Sequence, residues 1–183
     1  QAHAVASSHA AEVVRSMSQV PLPPSVVTAA LLHDIGKILL ARLLRPQMIP
    51  EALSAGAPIT SAERSLLDLD HAEVGAALVA NWKLPEEIVN AIQWHHDPAQ
   101  ASSELAYGVA LADIFSHRAM GDQQLTRAPH EDEPTLDEDG EGSDEARIEA
   151  STAALDIDAE ALARKVTERL DRAGLLPMAV PEG

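Results

Sequence analysis

The sequence contains no cysteine and only four aromatic residues among 183. The absence of cysteine excludes disulfide bonds and thiolate metal sites, so a metal ion would need His, Asp or Glu as ligands. Because 46% of the residues are apolar but only 2% are aromatic, the core must consist mainly of Ala, Leu, Val and Ile. This composition suits closely packed helices better than a sheet, and the length predicts one domain with a substantial core.

Long hydrophobic runs and targeting signals are also missing. No apolar stretch approaches the roughly 20 residues that span a bilayer, and nothing resembles a signal peptide. We therefore expect a soluble, cytoplasmic protein that has no membrane partner. The first residue is Gln, which indicates a processed chain or a piece of a longer protein.

Basic residues are scarce, since 13 Lys and Arg stand against 29 Asp and Glu, a net charge of −16. This balance argues against binding of a nucleic-acid polymer through its phosphates. Nine of the acids lie between Pro129 and Ala146, where there is no Lys or Arg. Without these nine, 20 acids and 13 bases leave a net charge of −7, which does not exclude an anionic small substrate.

The acidic stretch also predicts how the chain is divided. We expect 1–126 to form a helical domain and 127–146 to be a flexible acidic loop or linker, because almost nothing in that loop is apolar. Residues 147–183 are predicted to be a C-terminal helical segment that packs on the same domain. Its amphipathic pattern predicts a helix over 158–173.

The periodicity of the remaining chain predicts helices only. No stretch alternates with period two, and the breakers divide the apolar pattern into about 6–8 helices, an all-α bundle. The central helix is predicted to run from Ser25 to about Leu44. Gly36 lies inside it at a cost of about 1 kcal/mol relative to Ala, which indicates that another element approaches the backbone there. Glu63 is placed for a capping box at the start of a later helix.

Seven polar side chains are embedded in apolar helical faces, where an unpartnered carboxylate is costly. Taken singly, each is more readily explained as a hydrogen-bonded core residue than as a ligand. Seven together in a core of Ala and Leu favour a shared metal site. Imidazoles and carboxylates without thiolates suit Mn, Fe, Co, Ni or Zn better than Ca or Mg. The seven are His9, His33, Asp34, His71, His95, His96 and Asp113.

The local spacing around His33 also favours convergence. His33 and Asp34 are adjacent, so on a helix they flank one point from two directions about 100° apart. Lys37 follows on the same face, placed either to neutralise Asp34 or to meet a substrate phosphate. Bridging by Asp34 would allow two ions close together, an arrangement used in phosphoester hydrolysis. We therefore expect one or two ions.

At these residues the sequence resembles the HD superfamily of metal-dependent phosphohydrolases, through an H…HD…D pattern. Four blocks in order are similar to the HDOD branch, whose domains are signal-output modules of bacterial regulatory proteins. The resemblance covers about residues 4–117. The blocks are HDIGK (33–37), HAEVGAAL (71–78), LPEEIVNAIQWHH (84–96) and LAD (111–113).

The resemblance implies an all-helical fold with a basic metal set of His9, His33, Asp34 and Asp113. In the related HD-GYP phosphodiesterases, a lysine that matches Lys37 contacts substrate phosphate. The segment after the third block, DPAQAS, lacks the GYP-type loop that gives that branch its cyclic dinucleotide specificity. Three further histidines complete a two-metal site in those enzymes, and they match His71, His95 and His96.

The first histidine of the pattern has two candidates. His9 lies 24 residues before His33, a spacing also found in stringent-response hydrolases of the superfamily, and His3 lies 30 before, which other HDOD sequences would accept. We prefer His9, because its helical face continues through the apolar residues Val13, Met17 and Val20.

Two functions follow from this site. The first is hydrolysis of a phosphoester in a phosphorylated small molecule or nucleotide, with Asp34 and Lys37 as catalytic residues and Lys37 binding the phosphate. The second is a non-catalytic signalling module that keeps the pocket for a ligand or a structural metal and contacts a signalling protein partner. A third hypothesis is that the seven polar residues form a buried hydrogen-bond network with a purely structural role.

Overall fold

The computed structural model describes residues 2–43, 59–121 and 141–176, with the backbone alone over 141–143. Within these ranges the chain forms nine α-helices and one short 3₁₀ turn at Pro98–Gln100, without a strand, which confirms the all-α prediction. No described helix has the length and apolar character needed to cross a membrane. The helices are α1 Ala2–Met17, α2 Ser25–Leu32, α3 Ile35–Leu43, α4 Ile59–Leu67, α5 His71–Asn81, α6 Glu86–Gln93, α7 Leu105–Gly121, α8 Glu141–Leu155 and α9 Ala159–Arg172.

Helix α7 lies at the centre of the bundle. Twelve of its 17 residues are buried, and it packs against α1, α2, α6, α8 and α9. A helix that is apolar on all sides must be covered on all sides. Small residues such as Ala106 and Ala110 allow its neighbours to approach closely. The core therefore consists mainly of Ala, Leu, Val and Ile, as the composition predicted.

The central segment is two helices, so the predicted single helix from Ser25 is wrong. Helix α2 ends at Leu32 and α3 begins at Ile35, with His33 and Asp34 in the turn between them. His33 Nδ1 lies 2.8 Å from the carbonyl of Ala30, the acceptor that the Asp34 N–H would use in a continuous helix. The imidazole therefore competes with the backbone hydrogen bond that a continuous helix would form at Ala30. The predicted end of the helix at Leu44 lies outside the described residues.

Helix α3 crosses the first turns of α5 with the two backbones in contact. A Cβ on Gly36 would lie 2.0 Å from the carbonyl oxygen of His71 and 2.8 Å from the nitrogen of Gly75, so a side chain there does not fit. This confirms the expectation that another element approaches the backbone at Gly36. The crossing also places His71 beside Asp34.

Helix α5 begins with a capping box in which the Asp70 side chain accepts from the Glu73 N–H and the Glu73 side chain accepts from the Asp70 N–H. Glu63 was expected to cap its own helix, and this is wrong. Its buried carboxylate accepts the backbone N–H of His71, at the start of α5. Asp70 is thus the N-cap of α5, whereas Glu63 links α4 to the first residue of α5.

Helix α8 begins at Glu141, inside the stretch predicted as an acidic loop, and the rest of that stretch, 127–140, lies outside the described residues. Helix α9 matches its predicted range, with Asp158 as N-cap. Its buried residues Leu162 and Leu170 belong to the same hydrophobic core as α1 and α7.

Candidate metal centre

Five histidines and two aspartates converge inside the bundle. They come from the start of α1, the turn between α2 and α3, the start of α5, the turn after α6 and the middle of α7. They form three overlapping groups in which the potential ligand atoms lie within 4.8 Å of one another. His33 is shared by two groups and His95 by two, so the set is one continuous cluster. Six of its seven members are predicted residues. The groups are His3–His33–Asp113, His33–Asp34–His95 and His71–His95–His96.

The seventh member is His3, and His9, the candidate preferred from the sequence, lies outside the cluster. His3 Nε2 lies 3.0 Å from Asp113 Oδ1 and 4.0 Å from Asp34 Oδ2. His9 lies six residues further along α1, about 9 Å along the axis, and belongs to none of the three groups. The face of α1 that packs against α7 consists of small residues, including the buried Ser7, whose hydroxyl contacts that of a serine on α7. The larger apolar residues that favoured His9 are only partly buried.

Three imidazoles of the cluster are held at Nδ1 by an oxygen that can only accept. Each Nδ1 must therefore carry a proton, and each Nε2 keeps its lone pair when the ring is neutral. Such outer partners fix the ring orientation of metal-ligating histidines. The pairs are His33 with the carbonyl of Ala30 at 2.8 Å, His95 with the carbonyl of Ile92 at 2.7 Å, and His71 with Glu63 Oε2 at 2.7 Å.

Two of these Nε2 atoms are buried without a hydrogen bond among the described residues, those of His33 and His95. His33 Nε2 lies 3.2 Å from Asp113 Oδ1 and 3.4 Å from Asp34 Oδ1, so a cation at this atom would face two carboxylates. A buried polar atom left unsatisfied costs about 1–3 kcal/mol. A cation among these imidazoles and carboxylates would satisfy both atoms, so the residues fit a divalent transition metal.

Asp34 presents its two oxygens to different partners. Oδ1 lies 3.4 Å from the Nε2 atoms of both His33 and His71, and so stands between two groups of the cluster. Oδ2 lies 3.1 Å from the ammonium of Lys37. The side chains of Asp34, Lys37 and His3 are about one-fifth exposed, whereas His33, His71 and His95 are fully buried. The cluster is therefore open to solvent on the side of Lys37.

Asp113 repeats this arrangement from α7. Its Oδ1 lies 3.0 Å from His3 Nε2 and 3.2 Å from His33 Nε2, while Oδ2 lies 3.2 Å from Nη2 of Arg147 on α8. Each carboxylate thus turns one oxygen to imidazoles and the other to a cation. Arg147 was not predicted as part of the site, because it lies outside the apolar patterns that indicated the other residues.

The charges within the cluster are strongly coupled. Burial opposes protonation of His33, but the carboxylates of Asp34 and Asp113 outweigh it and raise the pKa of His33 to about 9. Burial likewise opposes ionisation of the two carboxyls, yet the neighbouring His33 charge holds the pKa of each below its usual range. Burial, together with nearby histidines, lowers the pKa values of His95 and His96. At neutral pH these two rings are therefore neutral and able to bind a metal.

His96 and His71 face each other across the second part of the cluster, with their Nε2 atoms 2.9 Å apart. Because Glu63 holds the proton of His71 on Nδ1, His71 Nε2 accepts and His96 Nε2–H donates. For both Nε2 atoms to bind a metal ion, the proton of His96 would have to lie on Nδ1, which would leave a lone pair on each Nε2. The two rings are therefore close enough for both to contribute a ligand atom to one ion.

A helical bundle with a buried cluster of histidines and aspartates around a His–Asp turn defines an HD-type domain. Residues 1–98 match the HDOD domain family, and the chain belongs to that family.

Curated proteins are similar to part of this chain, among them the following two. An uncharacterized protein of Treponema pallidum (strain Nichols) is 33% identical over 106 residues, which are 54% of this chain and 20% of that protein. Ribonuclease Y of Thermus thermophilus is 35% identical over 88 residues, 48% of this chain and 11% of the enzyme. The chain therefore spans a fifth or less of these relatives.

Among solved structures, a protein of Shewanella amazonensis SB2B that is provisionally named a phosphohydrolase has the same fold. The TM-score is 0.66 and the sequence identity 24%, over 96% of this chain and 62% of that chain. At this level of identity the likeness concerns the fold alone.

Proposed function

We propose that this domain binds one or two divalent transition-metal ions (Mn, Fe, Co, Ni or Zn) and hydrolyses a phosphoester in a phosphorylated small molecule or nucleotide. The observation that carries the proposal is the cluster itself, in which the potential ligand atoms of each group lie within 4.8 Å of one another and the Nε2 atom of His95 is buried without a hydrogen bond among the described residues. The proposed ligands are His3, His33, Asp34, His71, His95, His96 and Asp113.

The charge of the site supports an anionic substrate. In the metal-free domain, Lys37 and Arg147 face the outer oxygens of Asp34 and Asp113, so the carboxylates are already compensated. A bound divalent ion would leave the pocket positive, and it would supply Lewis-acid polarisation of the phosphoryl group and of water. A local positive field attracts a phosphate anion although the chain as a whole carries −16.

Lys37 is the proposed contact to the substrate phosphate. It lies on the open side of the cluster, and its ammonium has three N–H donors. It can therefore hold Asp34 with one donor, at the observed 3.1 Å, and a phosphate oxygen with another. In this role it would stabilise charge that develops on the phosphoryl oxygens.

The substrate is proposed to be small. The ribonuclease relative acts on RNA, as its name states, but the match covers only 11% of that enzyme. The net charge of −16 disfavours a nucleic-acid polymer. A short RNA therefore belongs among the probes, beside nucleotides and an artificial diester.

Two measurements test the proposal. Protein treated with chelator is titrated with Mn²⁺ or Co²⁺, and turnover of bis-(p-nitrophenyl) phosphate is followed in the loaded protein. We expect one or two ions to bind, and Asp34→Asn to lower turnover at least about 100-fold. His3→Gln should weaken binding, whereas His9→Gln, which changes the other histidine of the same helix, should not.

One observation favours a second candidate, a non-catalytic signalling module with a protein partner: the two carboxylates are compensated without any ion. Metal binding without turnover of any probe would favour this module and contradict the hydrolase. Failure to bind any of the metals would exclude both the hydrolase and the structural-metal form of the module.

A further inference from the structure

Arg147 is a buried arginine that reaches the cluster from α8. Its side chain is only 8% exposed. Nη2 lies 3.2 Å from Asp113 Oδ2 and also 3.2 Å from the carbonyl oxygen of His95, while Nη1 lies 3.2 Å from Asp144 Oδ1. One nitrogen thus donates to residues from two different groups of the cluster.

The position of Arg147 in the chain makes this contact notable. It lies beyond residues 1–98, which match the family, and 34 residues after Asp113. A buried guanidinium is costly unless it is paired and hydrogen-bonded. A cation next to a cation-binding cluster also opposes metal binding by repulsion. The cost of burying Arg147 and its repulsion of a metal ion must therefore be offset by a favourable effect on the site.

The contacts show what that role is. By holding Oδ2, Arg147 fixes the plane of the Asp113 carboxylate, so that Oδ1 faces His3 and His33. By holding the His95 carbonyl, it also ties down the turn that carries His95 and His96. Its burial argues against direct contact with a substrate, which would enter on the side of Lys37.

We propose that Arg147 is a positioning residue of the metal site, and that α8 thereby completes a site otherwise built from α1 to α7. It holds Oδ2 of Asp113, which leaves Oδ1 facing the cluster, and it aligns the His95–His96 turn. This inference rests on the proposed metal binding.

Arg118 supplies a matched control. It lies on α7 and pairs with Glu145 on α8 at 2.9 Å, so it joins the same two helices as Arg147 does. Unlike Arg147, it is exposed and does not touch the cluster. Arg118→Met therefore removes an arginine link between α7 and α8 without disturbing Asp113.

The experiment compares Co²⁺ binding by the whole chain and its variants, together with the visible spectrum of the bound ion, which reports ligand number and geometry. Loss of an outer-shell partner typically weakens metal affinity 10–100-fold. We expect Arg147→Met to bind Co²⁺ about 10–100-fold more weakly with a changed spectrum. Arg147→Lys should recover part of the affinity, and Arg118→Met should match the unmodified chain.

The outcomes separate this inference from the proposed function. If the unmodified chain binds no Co²⁺, both are wrong. If it binds Co²⁺ and Arg147→Met binds it with the same affinity and spectrum, the role of Arg147 is wrong and the metal site stands. If Arg147→Met does not fold, Arg147→Lys decides: weakened binding supports positioning, and unchanged affinity and spectrum reduce Arg147 to a structural counter-ion and overturn the proposal.

Discussion

At the scale of single residues, Glu63 shows how the site is held from outside. One oxygen of its buried carboxylate accepts both the backbone N–H of His71, at 2.9 Å, and the Nδ1–H of the same ring, at 2.7 Å. The ring therefore cannot rotate or change its tautomer without losing a charge-assisted hydrogen bond. Glu63 orients His71 although it is not itself a proposed ligand.

We predict that Glu63→Gln weakens Co²⁺ binding about 10-fold, because an amide oxygen is a weaker acceptor than a carboxylate and leaves His71 less basic. Isothermal titration of the chelator-treated protein measures this. Glu87→Gln is the control, since Glu87 also accepts a short hydrogen bond, from Ser25 at 2.6 Å, but at an exposed position away from the cluster. Equal affinities for the two variants would show that Glu63 does not act through His71.

His3 was not the preferred candidate, Glu63 was expected to be a cap, and Arg147 was not predicted. Each of the three reaches its partner from a different helix. His3 and Asp113 are 110 positions apart, Arg147 and Asp113 are 34 apart, and Glu63 and His71 are on different helices. The predicted members of the cluster stand out locally, as polar residues in apolar periodic segments. Contacts of this kind form between helices of the folded chain, so the hydrophobic periodicity of a single helix does not indicate them.

At the scale of helices, the contact between α3 and α5 connects fold and site. The two backbones meet at Gly36 and Gly75, next to the turn that carries Asp34. We predict that Gly36→Ala lowers the free energy of unfolding by at least about 2 kcal/mol, because a methyl group 2.0 Å from the His71 carbonyl forces the helices apart. Urea denaturation measures the change, and weaker metal binding should accompany it as Asp34 moves away from His71.

Gly121→Ala is the matched control at the end of α7. A Cβ there would meet nothing within 4 Å, so the free energy of unfolding should change by less than about 0.5 kcal/mol. Similar losses for the two variants would mean that the cost reflects glycine replacement itself and not the crossing.

Helix boundaries were predictable where the signal is local. The range of α9 follows from its apolar stripe and its Asp158 cap, and both are visible in the sequence. The break at His33 was not, because α2 and α3 keep one continuous apolar pattern and the interruption comes from the imidazole that binds the Ala30 carbonyl. The start of α8 at Glu141 was missed for the opposite reason, since its first turn has the composition of a loop.

At the scale of the whole molecule, the cluster should govern how stability depends on pH. The chain has no thiol, so histidines are the side chains whose ordinary pKa falls between pH 6 and 9. His33 has its pKa raised from 6.5 to about 9 in the folded protein. It therefore contributes stability that is complete below pH 6.5 and is lost as the pH rises to 9. His95 and His96, with lowered pKa values, act in the opposite sense below pH 6.5, where the unfolded chain binds more protons.

We therefore predict that the metal-free domain is most stable near pH 6.5, and that its free energy of unfolding falls towards both pH 5 and pH 9. Urea denaturation in chelator across this range measures the profile. Saturating Co²⁺ should abolish the fall between pH 6.5 and 9, because the ion takes the place of the His33 proton. In chelator, His33→Gln should remove the fall in the free energy of unfolding between pH 6.5 and 9, and His9→Gln should leave this fall unchanged. If the free energy of unfolding of the metal-free domain does not change from pH 6.5 to 9, Asp34 and Asp113 do not keep His33 protonated in this range. A metal ion would then have no proton on His33 to displace.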